Sequence, residues 1–201
     1  MTPYATPSTL TSTIQRQSAA VVVSIGPAGA TPALAATFVY VSNAEDGDIG
    51  MYQLRDSGEL VPGPRTKAAS VVMPMAVSPD RRFLYAASRS KPYLVHAYSI
   101  DRESGALTPI ASSPLAESFP YISLDKTGRF LLGASYGGNL VSVNAVESDG
   151  RISATPLQVI PVGRNAHSIR VDESNKFAFV PSLGSDQIFQ LGSEFGYAFG
   201  W

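Results

Sequence analysis

Cysteine is missing altogether from these 201 residues. Its absence excludes disulfides, thiolate metal sites and cysteine nucleophiles, and leaves the redox compartment open. Charge is sparse, at 15% of residues, and balanced, with 15 Lys and Arg against 16 Asp and Glu. Such a chain has no electrostatic footprint for nucleic acid or an anionic membrane, so any bound anion must be gripped locally. No apolar run approaches the roughly 18 residues of a membrane span. Helical periodicity of any length is absent too, as is the G-x-S-x-G elbow of an α/β-hydrolase serine esterase. Histidine occurs only twice, at His96 and His167.

What the chain does have is an apolar content of 44%, enough for a real core, and a repeat. Phe83, Phe130 and Phe177 open the runs FLYAAS, FLLGAS and FAFVPS, each 47 residues from the next, and FVYVSN begins 45 residues earlier at Phe38. Each run is followed by a second β-rich segment (IGMYQL, LVHAYSI, LVSVNAV, QIFQL), and the first three of these lead to a glycine turn at Gly58, Gly105 or Gly150. Ahead of the last three Phe runs, the pairs Met75/Val77, Ile122/Leu124 and Ile169/Val171 superpose at the same 47-residue spacing. Period-2 apolar pairs mark the buried face of a strand. The unit is therefore four short antiparallel strands, A to D, joined by polar turns. Four strands every 45 to 47 residues predict an all-β chain of β-propeller blades rather than a sandwich. Residues 37–191 supply about three and a half such blades, starting at a B strand and stopping after a C strand.

The two ends differ from this pattern. Residues 1–36 are Ser/Thr/Pro-rich, with the apolar run SAAVVVSI behind Arg16 and a small-residue pattern at Ala33-Leu34-Ala35. That composition reads either as a secretory signal, which would send the protein to the periplasm or beyond, or as a disordered leader, which would leave it in the cytoplasm. Residues 192–201 read as a tail outside the repeat, with Gly192-Ser193-Glu194-Phe195 the product expected of two adjacent cloning sites.

The repeat also gives chemistry an address. The A–B and C–D turns share one face, and the D–A and B–C connections share the other, where inner strands begin. On that second face the columns read Ser70/Glu117/Arg164 and Met73/Pro120/His167, so polar residues replace bland ones in adjacent blades. Glu117, Arg164 and His167 are the catalytic candidates. Asn165 and Arg170 lie beside them, and the B–C loops add Arg89, Tyr136 and Asn139, giving five substrate-binding candidates. Histidine titrates near pH 6.5, so it can take a proton from water at neutral pH, and arginine can hold an anion or a developing oxyanion. His96, between Val95 and Ala97 in a C strand, reads as structural. No cofactor is expected. The oxygen-rich tip with Asn43, Glu45, Asp46 and Asp48 has calcium-type ligands, but the corresponding B–C loops SRSKPY, SYGGN and SLGSD lack that cluster, which favours a solvated hairpin tip over a weak calcium site.

The segments SPDRRFLYAASRSKPYLVHAYSIDRESGALTPI, DKTGRFLLGASYGGNLVSVNAVESDGRI and AHSIRVDESNKFAFVPSLGSDQI resemble blades of the seven-bladed propeller lactonase family. That family includes propeller-type 6-phosphogluconolactonases and fungal carboxy-muconate lactonizing enzymes. The resemblance implies metal-independent chemistry on a small-molecule lactone at the channel mouth. His167 would activate water, Arg164 would neutralise the substrate anion or oxyanion, and Glu117 would orient one of them. It also implies that the ring is incomplete, since seven blades close it, and that open blade surfaces invite self-association. Lactone formation from a muconate, and a non-catalytic propeller that binds through the same face, are the alternatives.

Overall fold

The computed structural model describes residues 18–24, 36–194 and 198–200, with side chains from 36 to 192. The pattern at residues 33–35 and residues 195–197 and 201 of the tail lie outside them. Four antiparallel four-stranded sheets follow one another along the chain, each built from four consecutive strands. The first comprises β1 (Ser18–Ser24), β2 (Thr37–Asn43), β3 (Asp48–Leu54) and β4 (Leu60–Lys67). The second comprises β5 (Val72–Val77), β6 (Phe83–Ser88), β7 (Leu94–Ile100) and β8 (Leu107–Pro114). The third comprises β9 (Tyr121–Leu124), β10 (Phe130–Ser135), β11 (Leu140–Ala145) and β12 (Gln158–Pro161). The last comprises β13 (Arg170–Val171), β14 (Phe177–Ser182), β15 (Gln187–Glu194) and β16 (Ala198–Gly200). Among the described residues the sole helical element is a 3-10 turn at Leu183–Ser185.

The sheets are the expected blades, and the pattern extends at both ends beyond residues 37–191. β1 supplies an A strand to the first blade, pairing with β2 from Ser18↔Asn43 to Ser24↔Thr37. β16 supplies a D strand to the fourth, through Gly192↔Gly200 and its neighbours. Four sheets therefore form where the repeat alone marks three and a half. The physical reason is that an unpaired strand edge offers a row of backbone donors and acceptors, and any adjacent extended segment satisfies them whether or not it carries the repeat's signature.

Strand alternation divides the core into joints between successive blades. Along β6, Leu84 and Ala86 face the first blade, where they meet Phe38, Tyr40, Ile49 and Met51. Tyr85 and Ala87 face the third blade, where they meet Phe119, Ile122 and Leu131. The next joint repeats the arrangement with Leu132, Ala134 and Val141 against Ala166, Ile169 and Val180. On the last blade the equivalent outward positions are uncovered, leaving Phe179 39% and Ile188 71% exposed.

Turn glycines join the same scheme. Gly105 and Gly150 sit at φ 71° and 87°, and a Cβ at either would lie 2.6 Å from a ring atom of Phe38 or Phe83 in the preceding blade. The Gly105 carbonyl also accepts the buried Tyr40 hydroxyl at 2.7 Å. Gly105→Ala is expected to cost about 2–5 kcal/mol, from left-handed strain of about 1–2 and overpacking of about 1–3 kcal/mol. The midpoint of urea unfolding measures it, and an unchanged midpoint would refute the ring contact.

His96 is buried in β7, as its sequence context suggests. Its Nδ1 lies 2.7 Å from Ser112 Oγ, and its buried Nε2 has no partner among the described residues. Burial holds its pKa below the usual histidine value. The unfolded chain therefore takes up a proton near pH 6.5 that the folded chain refuses, so stability falls as pH drops through that value. Urea midpoints at pH 7.5 and 5.5 should show this loss, and His96→Gln should reduce it.

Candidate functional site

The turns segregate as the repeat requires. On one face, Arg102 of a C–D turn donates to the Asp80 carbonyl of an A–B turn at 3.3 Å. On the other, Ser90 of a B–C loop donates to the Ser70 carbonyl at 2.9 Å. The catalytic candidates belong to the second face, Arg164 and His167 at the joint between the third and fourth blades and Glu117 in the connection from the second blade to the third.

His167 stands just before β13, anchored by its backbone N–H to the Pro181 carbonyl at 3.0 Å. Its neighbour Ala166 is fully buried and bridges to Ser182, which turns the His167 side chain outward into solvent. The imidazole meets the Tyr136 ring edge-on, with centroids 5.7 Å apart and an interplanar angle of 88°. Tyr136 comes from the β10–β11 loop of the third blade, so the contact crosses the joint. The cleft beside His167 is lined by Pro181, Leu183, Asp186 and Ile188, and is mostly apolar.

Arg164 is near in sequence but committed elsewhere. Its Nη2 donates to the Gly184 carbonyl at 2.6 Å, while its own carbonyl accepts the Gly184 N–H at 3.0 Å. Asn165 and Asn139 hold each other: the Asn165 N–H donates to Asn139 Oδ1 at 2.9 Å, and Asn165 Nδ2 donates to the Tyr136 carbonyl at 3.2 Å. Glu117 accepts the Ser118 N–H at 3.1 Å. Its stem packs against the same loop, where a Cβ on Gly138 would lie 2.7 Å from Glu117 Cγ. Tyr136, Asn139, Arg164, Asn165 and His167 thus converge on one joint, while Glu117 meets the Tyr136 loop from the connection between the second and third blades.

Two candidates lie apart. Arg89 belongs to the second blade, where its N–H donates to the Val71 carbonyl and its Nη1 approaches Met73 sulfur at 3.9 Å. Its Nε is buried without a partner. Arg170 lines a cleft along the inner strands β5, β9 and β13, with Ala76, Ser123 and Lys126 among its neighbours. At the oxygen-rich tip, Arg65 ion-pairs with Asp46 and Asp48, each at 2.7 Å, and Asn43 donates to Asp48. The local positive charge there comes from a side chain of β4.

Pro181, Leu183 and Ile188 were not marked by the sequence as site residues, because apolar residues in a strand and turn carry no local sign of lining a cleft. Gly184 was equally silent, although the left-handed Asn139 and Asn165, at φ 55° and 58°, point to tight local turns.

Comparison with known proteins adds an independent observation. A family model for lactonases of the seven-bladed β-propeller type matches residues 34–194. The 6-phosphogluconolactonase of Pectobacterium atrosepticum is 36% identical over 157 residues, which is 77% of this chain and 46% of that protein. The 6-phosphogluconolactonase of Erwinia tasmaniensis is 38% identical over 150 residues, 75% of this chain and 44% of that protein. The chain thus spans about half the length of the curated relatives it matches. Among solved structures, a protein from Lactobacillus plantarum superposes with a TM-score of 0.73 at 20% identity, over 81% of this chain and 50% of its own, and supports the fold. The periplasmic gluconolactonase of Pseudomonas aeruginosa superposes with a TM-score of 0.63 at 26% identity, over 72% of this chain and 46% of its own.

Proposed function

This chain belongs to the seven-bladed β-propeller lactonase family, and from that premise we propose that it carries the histidine-bearing part of a lactone hydrolase. The substrate class is a sugar lactone of the 6-phosphogluconolactone kind or another small lactone. The observation that carries the reading is His167: an exposed imidazole in a polar break of the repeat, at a blade joint beside an accessible cleft.

In the proposed reaction, His167 removes a proton from water as the water oxygen attacks the lactone carbonyl carbon. The ring C–O bond of the tetrahedral intermediate then breaks, and the imidazolium returns its proton to the departing alkoxide. Water is consumed and a hydroxy acid is formed. The Arg164 guanidinium is held by the Gly184 carbonyl and Arg170 lies apart in the inner-strand cleft, so neither arginine is assigned to the substrate anion. Glu117 shapes the loop that presents Tyr136.

The test is acid release from a panel of gluconolactone, its 6-phosphate and acyl-homoserine lactones, with His167→Ala as control. Hydrolysis of at least one lactone is expected. Silence across the panel would favour a non-catalytic propeller that binds through the same face.

A further inference from the structure

We propose that Asn139 and Asn165 form a clasp across the joint between the third and fourth blades that sets the His167 imidazole through Tyr136. They act as positioning residues rather than as contacts to substrate. The amides that a sequence reading offers to a ligand are spent within the protein. Asn139 Oδ1 accepts the Asn165 N–H, and Asn165 Nδ2 reaches back to the Tyr136 carbonyl. Each asparagine also anchors to its own blade. The Asn139 carbonyl accepts the Val162 N–H at 2.9 Å, and the Asn165 carbonyl accepts the Leu183 N–H at 3.1 Å.

The second blade shows that the clasp is more than a requirement of the turn. Val71 occupies the column of Asn165, 94 residues earlier. It has the same left-handed backbone, φ 55° against 58°. Its carbonyl accepts the Arg89 N–H at 3.1 Å as the Asn165 carbonyl accepts that of Leu183. The turn therefore forms without an amide, even on a β-branched residue that disfavours it. What Asn165, two residues upstream of His167, adds is the bond from its amide to the Tyr136 carbonyl. The clasp fixes the backbone of the Tyr136 loop relative to the chain leading into His167, and the edge-on ring contact carries that placement to the imidazole. Edge-on aromatic contacts of this geometry are attractive and favour one side-chain orientation over another.

The catalytic meaning of the clasp rests on the lactone-hydrolase reading, but its structural content is testable without turnover. With two histidines in the chain, ring-labelled histidine gives two sets of NMR signals, and buried His96 serves as an internal control. Asn139→Gly removes the amide while a glycine keeps the left-handed turn accessible. It is expected to move the His167 ring signals in the same direction as Tyr136→Ala, with those of His96 unmoved. Tyr136→Phe and Asn139→Asp, which keep the ring and the accepting oxygen, are expected to retain the wild-type His167 signals. If Asn139→Gly fails to fold, Asn165→Gly removes the other half of the clasp and is read identically.

On any lactone the chain hydrolyses, Asn139→Gly should lower kcat by about 10- to 100-fold with KM nearly unchanged, as misplacement of a catalytic group does. Wild-type His167 signals in both clasp variants would overturn the proposal, as would a Tyr136→Ala variant without effect on them. Absence of lactone hydrolysis together with coupled His167 shifts would instead reject the hydrolase reading and leave the clasp standing.

Discussion

His167→Ala is expected to lower kcat for lactone opening by about 10²- to 10⁴-fold, the range that a positioned general base contributes. KM should change little, because both proton transfers by the imidazole occur in transition states and not in the ground-state complex. Raised pH should rescue part of the lost rate, since hydroxide replaces the water that the base activates. Arg164→Ala should be the milder variant. Its guanidinium is bound to the Gly184 carbonyl, so its removal loosens the Leu183–Ser185 turn before it removes any charge from a substrate. Steady-state kinetics on the best lactone of the panel decide between these. Equal losses in the two variants would return Arg164 to a direct role, and an active His167→Ala would eliminate the general-base mechanism.

Asp125→Ala is expected to cost about 2–3 kcal/mol, because it removes one buried acceptor on which several donors of the turn converge. Asp125 is 3% exposed. Its carboxylate accepts the N–H groups of Arg129 at 2.8 Å and Phe130 at 2.9 Å, and the Asn175 amide of the next blade at 3.0 Å. The Thr127 hydroxyl donates to it as well. Burial pushes its pKa up, but the Thr127 and Asn175 side chains and the backbone donors prevail and hold it below the usual aspartate value. A depressed carboxyl pKa gives stability that is present above the unfolded value of about 3.9 and is lost as pH falls through the folded value. Wild-type stability should therefore decline below about pH 4, and Asp125→Asn should flatten part of that decline. Urea titrations at pH 7 and pH 3 measure both effects. A loss under about 1 kcal/mol for Asp125→Ala would show that water satisfies the donors.

This turn also shows why the fold was legible in the sequence. Ser78, Asp125 and Asp172 share a column, and each accepts the N–H five residues on, at Phe83, Phe130 and Phe177. Arg81, Gly128 and Asn175 share the left-handed position of the same turn. Local rules of this kind repeat wherever the same segment repeats, so a 47-residue period reports strands, turns and joints together. β1 and β16 escaped that reading because their pairing answers to an open strand edge, which is not encoded in their own residues.

The site was legible only as a place. Broken columns led to Glu117, Arg164 and His167, because a residue that departs from its repeat needs a reason beyond the fold. The partners of those residues followed from tertiary geometry. Arg164 turns to a carbonyl twenty residues away, Asn139 and Asn165 meet across a blade joint, and Tyr136 reaches the imidazole from the neighbouring sheet.

By itself, then, the sequence determined the blades, their order and the face on which the candidate residues are placed. These follow from strand period and turn chemistry, both of which act over a few residues. Only the tertiary structure decided which polar groups remain available on that face. Availability depends on what stands across each joint: Arg164 and the two asparagines are engaged by groups twenty or more residues distant, whereas the His167 ring is left with an aromatic neighbour and an open cleft.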